Sequence, residues 1–142
     1  MIAIAVSRFN EEVTSRLLKS CRATLAKHGQ KDPVVFHVPG GYELPWLANE
    51  LALSGKYQVV IALGCILKGA TPQNDHIARS TVQKLHEIAV RTRVPVILGV
   101  ITPNTYAQAA ARTKGSLDRG KESALAALEM VKLRRELGGL HG

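Results

Sequence analysis

The segment GATPQNDHIA, residues 69–78, gathers several groups that could do chemistry in one short stretch. Thr71 and Pro72 suit the cap and first position of a helix. The unpaired N–H groups and positive dipole end of such a helix attract phosphate or carboxylate, and Gly69 and Ala70 would let the anion approach closely. Gln73, Asn74, Asp75 and His76 follow at once. Gln73 and His76 are three apart and share a helix face, and a histidine there could shuttle a proton near neutral pH. Asp75 suits a first-turn carboxylate that serves the helix dipole. The turn is not a P-loop, because no GxxxxGK[ST] is present and no GxGxxG follows a strand. Nucleotide binding by those routes is excluded.

Other stretches carry similar promise. In PGGYELP (39–45) two glycines precede an aromatic and a carboxylate. This composition suits a tight turn before a helix, or a loop whose backbone bonds a polyhydroxylated ligand while Tyr42 stacks and Glu43 accepts. In SRFN (7–10), Phe9 could be a core residue, yet its neighbours Arg8 and Asn10 suit a loop-borne ring facing a ligand. Cys65 could be a nucleophile at a strand end, although its apolar setting fits a buried structural thiol better. His28, His37, His76, His86 and His141 show no zinc-ligand spacing. No metal is expected.

The elements that must position these groups follow from periodicity. Residues 2–6, 34–38, 59–64 and 94–101 read as strands, apolar along most of their length. Helices are expected over 11–28, 44–53, 72–91, from Thr102-Pro103 to about Arg112, and over 120–136. In the first, Val13, Leu17, Leu18, Cys21 and Leu25 share a face and Gly29 ends the helix. A frayed tail is expected over 137–142. Continuously apolar strands alternating with helices imply a parallel sheet covered on both faces. The expected fold is therefore a three-layer α/β domain with four parallel strands and right-handed crossovers. Ligands in such folds bind beyond the carboxyl ends of the strands. That rule selects loops 7–10, 39–45, 64–72 and 102–105.

The totals agree. A chain of 142 residues with 46% hydrophobic and 21% charged residues suits one soluble domain. No membrane span or signal peptide is visible. Two distant cysteines, Cys21 and Cys65, argue against a disulfide framework and for a reducing cytoplasm. The net charge of +8 comes from scattered Lys and Arg, and only 4% of residues are aromatic. A nucleic-acid partner is therefore not favoured, since a basic cleft also draws small phosphorylated substrates.

Read together, SRFN, VPGGYELP, ALGCILKGATP, VPVILGVIT and ALEM resemble, in order and spacing, blocks of the lumazine synthase family from about Ile2 to Arg134. The resemblance implies a flavodoxin-like sandwich. It also implies riboflavin biosynthesis by condensation of 5-amino-6-ribitylaminouracil with 3,4-dihydroxy-2-butanone 4-phosphate, giving 6,7-dimethyl-8-ribityllumazine without metal or organic cofactor. Pentamers, sometimes built into shells, with active sites between neighbouring subunits are implied as well.

By resemblance, Phe9 stacks on the pyrimidine with Asn10 beside it. Gly41, Tyr42 and Glu43 hold the ribityl chain, and Cys65, Ile66 and Leu67 line the ring pocket. Ala70, Thr71 and Arg112 hold phosphate, with Lys114 matched to a family lysine. The chain departs from the family where a histidine and an aromatic usually follow GATP; here Gln73 and Asn74 stand there. His76, where a tyrosine is common, is expected to take the proton-shuttle role from one turn along. Leu98 replaces a phenylalanine that covers the ring from the adjacent subunit. The chain starts at the first core strand, without the additional N-terminal strand that many relatives lend a neighbour, which bears on shell assembly more than on pentamer formation. A pentamer or an assembly of pentamers is expected. The same departures suit a non-catalytic flavin- or lumazine-binding oligomer, or an assembly scaffold.

Overall fold

The computed structural model describes residues 1–69 and 71–141, with side chains as far as residue 138. Four strands and five helices alternate: β1 (Ile2–Ser7), α1 (Glu11–Lys27), β2 (Val34–Val38), α2 (Leu44–Leu53), β3 (Val59–Cys65), α3 (Pro72–Thr92), β4 (Val96–Ile101), α4 (Tyr106–Ala111) and α5 (Arg119–His141). All strand pairings are parallel, in the order β2-β1-β3-β4. This is the parallel α/β sandwich that the strand patterning implied, and it is consistent with the flavodoxin-like fold that the family resemblance implied.

Side-chain alternation along the strands builds two cores. Ile2, Ile4 and Val6 of β1, with Val59, Ile61 and Leu63 of β3, pack beneath α1 and α5. Their neighbours Ala3, Ala5, Val60 and Ala62 face α2 and α3 on the other side. Every residue of β1 and β3 is buried. These central strands therefore show no polar alternation, as strands covered on both faces should not. No described helix is long and apolar enough to cross a membrane.

Some boundaries differ from the sequence expectation. β4 begins at Val96 rather than 94, because Pro95 has no N–H and gives the ladder only its carbonyl, to the Val60 N–H at 2.9 Å. α4 is not started by Thr102-Pro103. Pro103 is buried and its carbonyl accepts the Lys68 N–H at 2.8 Å, which keeps the chain extended across the end of the sheet. Thr105 caps the helix instead, accepting the Gln108 N–H at 3.2 Å. α5 continues past the expected end at 136 to His141, through the stretch expected to fray; Gly142 lies outside the described residues.

Candidate active site

Between β1 and β3 the strand order changes direction, and at such a switch point the loops leaving the carboxyl ends splay apart. A cavity of about 320 Å³ opens there. Phe9 and Asn10 come from the loop after β1, Pro39–Glu43 from that after β2, and Cys65–Leu67 from the end of β3. Asn74 and Ile77 of α3 close the set. The structure thus brings together the residues expected at the ring and ribityl positions: Phe9, Asn10, Gly41, Tyr42, Glu43, Cys65, Ile66 and Leu67.

Asn10 shows how the site is braced. It precedes α1 in the left-handed conformation (φ 61°) and makes no capping bond with its side chain. Its Nδ2 donates instead to the Cys65 carbonyl at 2.9 Å. An asparagine cap ordinarily contributes about 1 kcal/mol to its helix. Here that bond is exchanged for a tie between the two strand ends that flank the crevice. The same loop is fastened to the next by Arg8 N–H to Val38 O and Phe9 N–H to Pro39 O, both 2.9 Å. Phe9 itself is left 61% exposed, a ring presented rather than buried.

The glycine loop is equally specific. Glu43 accepts the Gly40 N–H on Oε1 at 2.9 Å, which leaves its other oxygen for a ligand. A Cβ on Gly41 would stand 2.8 Å from Ile66 Cδ1, so only glycine lets Ile66 close the cavity floor undisturbed. Tyr42 is 70% exposed at the mouth. Cys65 is buried, and burial pushes its thiol up to about 11. It is a neutral thiol at pH 7 and unsuited to nucleophilic attack.

At the start of α3, Thr71 caps the helix by accepting the Asn74 N–H at 3.1 Å, as its sequence position implied. Ala70, expected to share the anion turn, lies outside the described residues. Asp75 does more than serve the dipole, for its Oδ1 accepts the N–H of Gly69, whose φ of 92° suits glycine. Asn74 reaches back to donate from Nδ2 to the Leu67 carbonyl at 2.9 Å. Of the α3 residues in the lining, Asn74 stands out in the sequence only as a departure from the family and Ile77 not at all, and neither was expected at the site. Their signal was the spacing of Asn74, Ile77, Ala78 and Thr81, which marks the inward face of α3.

Other expected site residues do not reach this cavity within one chain. Gln73 and His76 are exposed and absent from its lining. His76 lies two residues beyond Asn74, about 200° round the helix, and so faces away from the cavity. Leu98, 36% exposed, lies on the edge strand β4 and lines a separate cavity of about 520 Å³ between α3 and α5. Arg112 ends α4 and Lys114 follows it, both exposed. Among the described residues no three His, Cys, Asp or Glu side chains converge as a metal site.

The cavity therefore offers an exposed aromatic ring, backbone groups of a strand end, a carboxylate oxygen that meets no donor among the described residues, and an adjoining helix start. That combination fits a planar polar ring with a hydroxylated substituent and an anion nearby. A family model described as 6,7-dimethyl-8-ribityllumazine synthase matches residues 1–135, and the chain belongs to that family, whose work is riboflavin biosynthesis.

Proposed function

We propose that the chain condenses 5-amino-6-ribitylaminouracil with 3,4-dihydroxy-2-butanone 4-phosphate, releasing phosphate and water and giving 6,7-dimethyl-8-ribityllumazine. One observation carries the reading: Phe9, Asn10, Gly41, Tyr42, Glu43, Cys65, Ile66 and Leu67, the positions assigned by family resemblance to the ring and ribityl chain within one subunit, all line the cavity at the strand switch point. Phe9 stacks on the pyrimidine, Tyr42 and Glu43 hold the ribityl hydroxyls, and the backbone of Cys65–Leu67 reads the ring. Thr71, the cap of α3, holds the phosphate at the helix start. Both reactants are intrinsically reactive, so holding them together supplies much of the acceleration.

Leu98, Arg112 and Lys114 are absent from the lining of their own chain's cavity, which supports a site completed by a neighbouring copy. The edge of β4 fits such a contact. Val90, Leu98, Leu133 and Leu137 are exposed along it, 69%, 36%, 42% and 40% respectively, beside the grooves between α3 and α5. Apolar residues exposed beside one another in this way support an association surface. A homo-oligomer, with the pentamer as its unit, is the reading adopted. Two buried free thiols suit a reducing, cytoplasmic setting.

Gln73 favours a second reading. A glutamine hydrogen-bonds but cannot shuttle a proton, and losing general acid–base help typically costs about 10²–10⁴ in rate. A lumazine- or flavin-binding oligomer without turnover would keep this cavity and this substitution. Steady-state assays with both substrates separate the two. Slow turnover in wild type is expected, with kcat raised at least about tenfold by Gln73→His. Turnover within about twofold of wild type is expected for His76→Ala, in keeping with its outward face; a loss of most of the rate would restore His76 as the shuttle. A wild-type protein that binds the lumazine tightly and never turns over would establish the second reading.

A further inference from the structure

Asn74 stands where the family commonly has an aromatic, and its surroundings are specific. Its backbone N–H meets Thr71 Oγ1 at 3.1 Å and its Nδ2 meets the Leu67 carbonyl at 2.9 Å. It therefore bridges the floor of the cavity and the start of the anion turn. The bond to Leu67 also orients the amide, because a carbonyl partner accepts only from the nitrogen end. Among the described residues no donor meets Oδ1, and the side chain lines the cavity. The other polar side chains there are already committed in part, Asn10 to the Cys65 carbonyl and Glu43 to the Gly40 N–H.

We infer that Asn74 is a specificity-determining residue whose amide oxygen accepts a hydrogen bond from the reacting amine of the diaminopyrimidine and finds no donor in the lumazine product. The inference rests on the condensation proposed above. In that reaction the new carbon–nitrogen bonds form between the ring amines and a carbon chain that ends in phosphate. The amines must then lie between the ring floor at Cys65–Leu67 and the phosphate at Thr71, the interval Asn74 spans. In the substrate both amine nitrogens carry N–H. In the product one has become a ring imine and the other is fully substituted, so neither donates. A fixed acceptor favours the first molecule and leaves an unpaired oxygen against the second. An aromatic side chain at this position could make no such distinction.

Calorimetric titration of the full-length protein with the diaminopyrimidine alone, and separately with the lumazine, tests this without requiring turnover. Asn74→Leu removes the acceptor at similar volume. Its affinity for the diaminopyrimidine is expected to fall about tenfold, while that for the lumazine stays within about twofold. Asn74→Asp keeps an oxygen towards the cavity but loses the bond to Leu67. It is expected to keep the wild-type preference for the diaminopyrimidine even where both affinities fall. Parallel losses for both ligands in Asn74→Leu would mark a merely structural residue and overturn the inference, as would an unchanged affinity for the diaminopyrimidine. A wild type that bound both ligands in either case leaves the proposed reaction standing. A wild type that bound neither would overturn that reaction and this inference together.

Discussion

Cys21 is wholly buried in the core under α1 and α5, and burial, with the charge of Asp118 adding to it, pushes its thiol up to about 12. In the unfolded chain it ionises near its ordinary value of 9.0. Below pH 9 both states keep the proton and the full stability is present. Between 9 and 12 the unfolded state binds fewer protons than the folded one, so stability falls as pH rises. At about pH 10.5 this single thiol accounts for a loss on the order of 2 kcal/mol. Urea denaturation at pH 8 and pH 10.5 should show that loss in wild type and a correspondingly smaller one in Cys21→Ala, although the variant starts less stable. Equal losses in both proteins would remove Cys21 as the cause. At this scale the sequence was partly legible: the apolar setting of Cys65 implied an inert thiol, whereas nothing local to Asn10 announced a bond to a carbonyl in another loop.

Among the elements, the α1–α5 pair depends on one close approach. Gly120, in the first turn of α5, is packed so tightly that an added Cβ would meet Leu17 O at 2.4 Å. That oxygen belongs to the backbone of α1 and cannot swing aside, so Gly120→Ala must separate the helices. A loss of about 1–3 kcal/mol is expected, read as a lower urea midpoint. Gly138 supplies the contrast near the other end of α5, where a Cβ would meet nothing within 4 Å. Gly138→Ala should stabilise the helix by about 0.5–1 kcal/mol. The order and type of the elements were legible because burial on one face leaves a period in the chain. The start of α4 was misread because Thr102-Pro103 has the composition of a helix cap. Its actual use, with Pro103 buried and bonded to Lys68, is a tertiary decision.

For the whole molecule, association is the property to test. The apolar strip beside β4 includes Val90 and Leu133, neither of which lines the cavity at the switch point. Sedimentation velocity is expected to show an oligomer for wild type and smaller species for Val90→Glu combined with Leu133→Glu. Retained fold by circular dichroism is expected alongside. If the charged variant sediments like wild type, the strip is not the association surface. The sequence by itself determined the layered α/β fold and the family, because strand burial and loop composition are written locally. Of the four loops it selected, 7–10, 39–45 and 64–72 line the cavity and 102–105 does not. Only the tertiary structure decided which loop residues converge on one cavity, that Asn74 belongs to it, and that His76 turns away. The spacing along α3 carries its phase, but which strand ends and loops its inward face meets depends on contacts between distant segments, such as the hydrogen bond from Asn10 to Cys65, which no local pattern encodes.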